Sequence, residues 1–236
     1  MQSKKIQLFI LPYAGGSAAA FGKLTGLINA EIEVVAVEYP GRGTRAKEPL
    51  SVSFQEMLED AVNYCREKRR EEIPYCMMGY SMGSVLAYEI LARKAIPGEL
   101  RHFFIAAEVS PKERALELRK VANPTEERIL QRVAELGGLD ERLLKNQRFR
   151  EIYINPMLND YRRFFEYRFP GYSDRLMVDA TVFYSEKDTA FLDVVKWKEL
   201  IQGEIEYYQL GENHFFINQL YRKMAEVINE TIIGTM

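Results

Sequence analysis

The sequence predicts an α/β protein in which helices cover both faces of a mostly parallel, doubly wound sheet. Short runs rich in β-branched and aromatic residues alternate with stretches that have helical apolar spacing, which is typical of repeated strand–helix–strand units. Several strand-like runs are apolar at successive positions, as strands buried on both faces are. The predicted strands are "KIQLFIL" (5–11), "IEVVAVE" (32–38), "YCMMGY" (75–80), "HFFIAA" (102–107), "DATVFYS" (179–185) and "IEYYQL" (205–210).

Helices are predicted between strands at residues 53–70 and 84–95, and after the last strand at 216–232, because apolar residues recur there every three or four positions. Residues 124–169 interrupt the alternation, because they hold two or three successive helical patterns with no strand between them. Helices inserted into an α/β sheet often form a lid over an active site, and the alternative is that they only pack against it. We expect a helical lid at about 120–170, within a single domain of residues 1–236.

Length, charge and cysteine content exclude several classes of protein. A chain of 236 residues with a net charge of −2 can bury a sizeable core, and it gives no reason to expect nucleic acid or a membrane surface as the main partner. Two cysteines are too few for a disulfide framework or a Cys-rich metal site. The apolar run that ends at Pro12 is too short for a signal peptide, and no run approaches the roughly 20 residues of a membrane span. We expect a cytoplasmic monomer.

Ser81 lies between two glycines in "GYSMG" (79–83), at the predicted turn from a strand into a helix. A sharp turn of this kind exposes the hydroxyl, and small flanking residues let strand and helix approach each other. The amino end of the helix also directs N–H dipoles at the place where an oxyanion would develop. The Gly-x-Ser-x-Gly spacing is short enough to arise by chance, so Ser81 is a candidate nucleophile only if the chain also supplies a base and an acid.

Histidine is the base expected for such a serine, and the chain has two. His102 opens a predicted strand, which is typical of a structural residue, whereas His214 lies in a loop between the last strand and the last helix. Asp188 follows a late strand and is the best candidate for the acid. Its competitors are Glu186, which is close to the strand end, and Asp193, which is expected to cap the next helix. The order serine, acid, histidine is that of a triad on this type of sheet.

An oxyanion hole requires one N–H from the residue after the nucleophile, Met82, and a second from the loop after the first strand. That loop, "LPYAGGSAAAF" (11–21), contains two adjacent glycines, and Ala14 is the expected donor. The alternative reading is a phosphate-binding glycine loop, but the G-x-G-x-x-G spacing is missing.

Six segments follow one another from about residue 6 to 230: "LPYAGGSAAAF", "VEYPGRGTR", "GYSMGSVLAYEI", "LGGLDERLL", "NPMLNDYRRFFEYRF" and "NHFFI". In this order and spacing they resemble the type II thioesterases, which are stand-alone enzymes of the α/β-hydrolase fold that accompany nonribosomal peptide synthetases and polyketide synthases. The resemblance implies hydrolysis of stalled or mis-primed acyl groups from the phosphopantetheine arm of acyl or peptidyl carrier proteins. It assigns Ser81 as nucleophile, His214 as base, Asp188 as orienting acid, and Ala14 and Met82 as oxyanion donors. It implies no metal and no bound cofactor, because the partner carries the phosphopantetheine.

The resemblance also places substrate and partner contacts in the expected lid. Apolar side chains there are expected to line an acyl channel or, alternatively, to form the core of the lid: Leu139, Leu143, Phe149, Met157, Phe164 and Phe165. Basic side chains in "RLLKNQRFR" are expected to dock an acidic carrier protein or, alternatively, to form a solvated helix face: Arg142, Lys145, Arg148 and Arg150.

Tyr80 departs from the pattern of the family, whose members usually have histidine immediately before the serine. We expect this exchange to affect the packing of the turn or the shape of the substrate site. After the strand 102–107, "AEVSP" also replaces a commoner small-polar or basic sequence, which leaves that wall of the pocket unpredicted. Two other functions stay open: a carboxylesterase or lipase acting on free esters, and an inactive module that binds carrier proteins.

Overall fold

Six parallel strands form one sheet in the computed structural model, which describes residues 4–121, 124–137 and 144–234. The spatial order is β2-β1-β3-β4-β5-β6, and every neighbouring pair is parallel. All six predicted strands and the doubly wound sheet are confirmed, with ends that differ by one or two residues. The strands are β1 Ile6–Leu11, β2 Ile32–Ala36, β3 Tyr75–Tyr80, β4 Leu100–Ala106, β5 Ala180–Tyr184 and β6 Ile205–Gln209.

Helices connect the strands and cover the sheet. The α-helices are α1 Gly22–Thr25, α2 Phe54–Lys68, α3 Met82–Ala92, α4 Pro111–Arg119, α5 Glu126–Glu135, α6 Gln147–Phe149, α7 Asn155–Phe164, α8 Phe191–Val194 and α9 Ile217–Gly234. Short 3₁₀ turns span Ala18–Phe21, Gly43–Arg45 and Val195–Glu199, and a π-helical stretch, Arg150–Ile154, joins α6 to α7. The three helices predicted at residues 53–70, 84–95 and 216–232 are confirmed as α2, α3 and α9.

Side-chain alternation along the strands divides the core into two layers. Leu8 and Ile10 of β1 pack in the layer covered by α1 and α9, whereas Phe9 and Leu11 pack in the layer covered by α2 and α3. Burial on both faces explains why these strands are continuous apolar runs. Within the described residues, no helix is both long enough and apolar enough to cross a bilayer.

Helix α4 was not predicted from the sequence. Only Pro111, Ala115 and Leu118 are buried among its nine residues, so its apolar repeat is too sparse to stand out. A local signal is nevertheless present, because Ser110 caps the helix by accepting a hydrogen bond from the N–H of Glu113.

The helices α5 to α7, called here the inserted helices, lie between β4 and β5 in the chain and have a small apolar core of their own. Their helical character is confirmed for the described residues, whereas their role as a lid stays a prediction. Leu139, Arg142 and Leu143 lie outside the described residues.

Strand register determines which loops meet. Leu11 of β1 pairs with Gly79 of β3, Gly79 with Ile105 of β4, and Ile105 with Val182 of β5. The loops after these strands therefore leave the sheet side by side at its carboxyl edge, where open α/β sheets bind their ligands.

Candidate active site

A cavity of about 760 Å³ opens at the carboxyl edge of the sheet. It brings together the five residues for which the sequence predicts direct roles in catalysis, although they come from four different loops. These lining residues are Ala14, Ser81, Met82, Asp188 and His214. The described parts of the chain contain no group of three or more His, Cys, Asp or Glu side chains that could hold a metal ion.

Ser81 occupies a strained turn between β3 and α3. Its φ of 52° lies in the left-handed region, which residues other than glycine rarely adopt. The turn is held by a hydrogen bond of 2.7 Å from the N–H of Ser81 to the carbonyl of Ala106. A methyl group at Gly83 would lie 2.1 Å from the carbonyl oxygen of Leu11, and one at Gly79 would lie 2.3 Å from Ser84 Cα. The two glycines are therefore needed for close packing, as the sequence pattern predicts.

His214 and Asp188 form a buried pair beside this turn. Asp188 Oδ2 lies 2.7 Å from His214 Nδ1, and the two side chains are 5% and 7% exposed. Because Asp188 engages Nδ1, the imidazole has a fixed orientation and Nε2 is the nitrogen available for proton transfer. No hydrogen bond joins Ser81 to His214 among the described residues, although both line the cavity; such bonds are often longer before substrate binds.

Among the described residues, neither competing acid is bonded to His214, although Asp193 also lines the cavity. Glu186 is exposed and accepts a long contact of 3.5 Å from the N–H of Phe191. Asp193 pairs with Lys196 at 3.0 Å. The prediction that Asp193 caps the next helix is wrong, because it lies inside α8, whose N-cap is Ala190.

The loop that carries Ala14 is held by the inserted helices through a buried ion pair. Arg42 binds Asp160 of α7 in a bidentate manner, with distances of 2.5 and 2.7 Å. Asp160 Oδ2 also accepts a hydrogen bond of 2.8 Å from the N–H of Gly15, and Arg42 donates to the carbonyl of Gly16. Burial acts to lower the pKa of Arg42, but the charge and hydrogen bonds of Asp160 outweigh it and raise that pKa. The candidate oxyanion loop is thereby tied to α7.

This ion pair was not predicted from the sequence, although both partners lie in segments that carry the resemblance. Arg42 belongs to "PGRG" and Asp160 to "NDYRR". The available signal is that each of these two segments of the resemblance contains a charged residue. The pairing itself has no local signature, because 118 residues separate the two side chains.

The wall after β4, which the sequence left unpredicted, contains an ion pair between a buried carboxylate and a partly exposed arginine. Glu108 follows the strained residue Ala107, which has a φ of 53°. Its carboxylate is 1% exposed and accepts a hydrogen bond of 2.7 Å from Arg114 Nε. Burial raises the pKa of Glu108, against the opposing effect of Arg114. Both side chains line the cavity.

The apolar residues predicted to line an acyl channel divide into two groups. Phe164 and Phe165 line the cavity. Phe149 and Met157 instead pack within the inserted helices, so the alternative role as core applies to them. Tyr80 has no exposed surface and does not border the cavity. Of its two expected effects, packing of the turn is therefore the one that the structure supports.

The remaining predicted residues lie on the surface or in the sheet. Lys145 and Arg148 are exposed, whereas Arg150 is paired with Glu126 at 2.5 Å. His102 is buried in the sheet, where its Nε2 lies 2.9 Å from Thr181 Oγ1. This placement agrees with its predicted structural role.

Comparisons with known proteins agree with the fold and with the resemblance. The thioesterase domain family matches residues 6–233. Thioesterase TesA of Mycobacterium marinum is 25% identical over 97% of this chain and 90% of its own length. The gramicidin S biosynthesis protein GrsT of Aneurinibacillus migulanus is 24% identical over 94% of this chain and 87% of its own length.

Two solved structures show the same architecture. ClbQ from the colibactin pathway superimposes with a TM-score of 0.85, covers 98% of both chains and is 22% identical. RedJ, a thioesterase from the prodiginine pathway of Streptomyces coelicolor, has a TM-score of 0.80 and 25% identity, and covers 97% of this chain and 86% of its own. The chain therefore belongs to the thioesterase family: it is a thioester hydrolase of the α/β-hydrolase fold, similar to the type II thioesterases of nonribosomal peptide and polyketide pathways.

Proposed function

We propose that this thioesterase removes acyl groups from the phosphopantetheine arm of acyl or peptidyl carrier proteins, through an acyl-enzyme on Ser81. The main support is the arrangement at one cavity, where a strained serine lies on the turn after β3 and the buried Asp188–His214 pair is 2.7 Å across. A serine hydroxyl becomes an effective nucleophile when a positioned base takes its proton. A buried carboxylate on Nδ1 provides that positioning for the imidazole.

The proposed reaction has two acyl transfers. In the first, His214 takes the proton of Ser81 as the hydroxyl oxygen attacks the thioester carbonyl. The C–S bond then breaks, and the proton passes from His214 to the leaving thiolate. In the second, His214 takes a proton from water as the water oxygen attacks the acyl-Ser81 ester. The bond between the acyl carbon and Ser81 Oγ then breaks, the proton passes from His214 to Ser81 Oγ, and the carboxylic acid is released. No step requires a metal or a bound cofactor.

The backbone N–H groups of Ala14 and Met82 are assigned to the oxyanion. Met82 begins α3, so its N–H belongs to the first turn, where helix amides have no partner within the helix. Ala14 lies next to Gly15, whose N–H is bonded to Asp160, so the backbone at this point is held in place. Loss of one such donor typically lowers the rate by about 10²–10³-fold.

The test of this proposal is intact-protein mass spectrometry of acetyl- and longer acyl-carrier proteins before and after treatment. Wild-type protein is expected to restore the free thiol form, and Ser81→Ala is expected to lower the rate by at least about 10³-fold. Ser173→Ala, at an exposed serine, is the matched control and should retain full activity. Substantial turnover by Ser81→Ala would refute the acyl-enzyme.

Free esters distinguish the proposal from a carboxylesterase or lipase. A strong preference for acyl-carrier protein over p-nitrophenyl esters supports a carrier-directed enzyme. Equal or faster turnover of the free esters refutes it. Wild-type protein that binds carrier protein without any turnover would instead indicate the inactive binding module.

We further infer that Lys145, which precedes α6, and Arg148, which lies within it, contribute to docking of an acidic carrier protein, since both are exposed. Arg150 is less suited to this role, because Glu126 already neutralises its charge. A monomeric and cytoplasmic enzyme stays a prediction from the sequence.

A further inference from the structure

We propose that Tyr80 is a positioning residue for the base, because its phenol fixes the turn that carries His214 to the strand that carries the nucleophile. The inference rests on the proposed function, since it takes His214 as the base. Tyr80 is the last residue of β3 and directly precedes Ser81. Its side chain is fully buried.

The phenol oxygen bridges the two ends of the turn 214–217. It donates a hydrogen bond of 2.6 Å to the backbone carbonyl of His214 and accepts a contact of 3.4 Å from the N–H of Ile217. Ile217 is the first residue of α9, where an N–H has no partner within the helix. The hydrogen bond is made to the backbone of the base residue itself, so it restricts the point from which the imidazole extends.

The ring of Tyr80 adds contacts to the same turn and to the candidate oxyanion loop. Its centroid lies 5.3 Å from that of Phe216, 6.1 Å from His214 and 5.7 Å from Tyr13. The last two pairs are edge-to-face, an arrangement favoured by aromatic quadrupoles. Burial raises the pKa of the Tyr80 hydroxyl well above its ordinary value. The hydroxyl therefore keeps its proton and remains a donor at neutral pH.

The alternative is that Tyr80 only fills space beneath the turn. These roles differ in their dependence on the hydroxyl, since Tyr80→Phe keeps the ring and removes only the oxygen. A role in packing alone then predicts an unchanged kcat, even if loss of the buried hydrogen bond lowers the stability. A role in positioning predicts a lower kcat with an unchanged KM, because displacement of the base reduces stabilisation of the transition state and leaves substrate binding unchanged.

Tyr167→Phe is the matched control for the loss of a buried phenol. The Tyr167 hydroxyl donates a hydrogen bond of 2.8 Å to Glu89, and Tyr167 is buried but does not border the cavity. We would measure the melting temperature of each variant, kcat and KM for acetyl-coenzyme A by release of free thiol, and the rate at which a fluorophosphonate labels Ser81. Tyr80→Phe is expected to lower kcat and labelling by roughly 10- to 100-fold with KM unchanged within about twofold.

Comparison of the Tyr80→Phe and Tyr167→Phe variants can overturn the positioning role in two ways. Tyr167→Phe should keep kcat within about twofold of wild type even if its melting temperature falls. Retention of wild-type kcat and labelling by Tyr80→Phe, or an equal loss in both variants, overturns the positioning role. Tyr80→His introduces the residue usual in the family, but its shorter ring cannot reach the carbonyl from this backbone. It should be as slow as Tyr80→Phe, and a wild-type rate would also overturn the inference.

The labelling rate separates failure of this inference from failure of the proposed function. It depends on an activated Ser81 and not on the identity of the acyl substrate. If wild-type protein did not cleave acyl-carrier proteins yet labelled faster than Tyr80→Phe, the positioning role would hold and the proposed substrate would be wrong. If even wild-type protein did not label, both proposals would fail, because the triad itself would be inactive.

Discussion

The two halves of the candidate site are held in different ways. On the base side, a neutral hydrogen bond from Tyr80 and a group of aromatic rings join the turn of His214 to the central strand β3. On the oxyanion side, the charged side chain of Asp160 binds the N–H of Gly15 and reaches it from α7, 145 residues along the chain. The candidate base is therefore held by the core of the sheet, whereas the candidate oxyanion loop is held by the inserted helices.

The chemical difference between the two anchors has a consequence for catalysis. A buried ion pair carries a large desolvation penalty, which good geometry and additional hydrogen bonds must offset. The Arg42–Asp160 pair has this geometry and these extra hydrogen bonds only while α7 lies against the loop that contains Gly15 and Gly16. The pair therefore favours one docked arrangement of α7 over all others. We therefore expect placement of the Ala14 N–H to depend on α7 and placement of His214 to depend on Tyr80 instead.

The largest expected effect comes from Asp160→Asn, which breaks the oxyanion side. Arg42 is 5% exposed, so loss of its counter-charge leaves a buried cation and lowers the free energy of unfolding by about 3–5 kcal/mol. The Gly15 loop also loses its charged acceptor, and kcat is expected to fall by roughly 10²-fold. Urea unfolding and kcat for an acyl-carrier substrate measure the two effects.

An apolar replacement of the whole pair separates stability from catalysis. The double variant Arg42→Met with Asp160→Leu removes both charges, and such exchanges are often neutral or stabilising. We expect it to recover most of the stability lost in Asp160→Asn while kcat stays low, because leucine offers the N–H of Gly15 no acceptor. A double variant with wild-type kcat would contradict the dependence of the oxyanion loop on α7.

Gly15→Ala tests the same contact from the side of the loop. Gly15 has a φ of +80°, and a Cβ there would lie 2.6 Å from Met157 Cβ of α7. Backbone strain and this clash should lower stability by about 1–3 kcal/mol, and kcat should fall with it. Gly22→Ala is the control, since no atom lies within 4 Å of a Cβ at Gly22 and its φ of −55° is helical. Equal effects of the two substitutions in unfolding and activity assays would show that the contact with α7 is unimportant.

The same contrast explains what could be predicted from the sequence. The strands and the turn at Ser81 have local signals, because apolar alternation and the glycines at 79 and 83 lie next to the feature that they produce. The candidate acid and base were found because a sheet edge gathers the loops after its strands, a rule that needs only chain order.

The anchors of the two halves could not be found in this way. Tyr80 and His214 are 134 residues apart, and Arg42 and Asp160 are 118 apart. Each contact depends on the angle at which two loops meet, and no periodicity encodes that angle. Tyr80 was noticed as an unusual residue, but its function as a donor became visible only when its partner was located. The Glu108–Arg114 pair was missed for a simpler reason, since α4 was not recognised.

The sheet itself contains a buried histidine, His102, whose titration is expected to make the stability depend on pH. Burial lowers the pKa of His102 to about 4, below its ordinary 6.5. The unfolded chain therefore binds a proton between these values that the folded chain does not, so this part of the stability is complete above pH 6.5 and is lost as the pH falls towards 4. From pH 8 to pH 5 the expected loss is about 2 kcal/mol.

Comparison with His102→Gln isolates this contribution from that of the carboxylates. Glutamine has no titration in this range and can still donate to Thr181, the partner of His102 at 2.9 Å. The difference in unfolding free energy between wild type and variant should change by about 2 kcal/mol between pH 8 and pH 5. A pH-independent difference would show that His102 is protonated as easily in the folded chain as in the unfolded chain.

The smallest expected effect concerns the outer surface of the inserted helices. Lys145→Glu with Arg148→Glu should raise KM for an acyl-carrier protein by about two- to fivefold, since exposed charges each contribute less than about 1 kcal/mol. The kinetic constants for acetyl-coenzyme A should stay unchanged, because that substrate lacks the protein surface. Arg222→Glu with Lys223→Glu, at two exposed residues of α9, is the matched charge reversal. If it raises KM equally, general charge attraction explains the effect, and the inserted helices then serve the oxyanion loop without also serving as a docking surface.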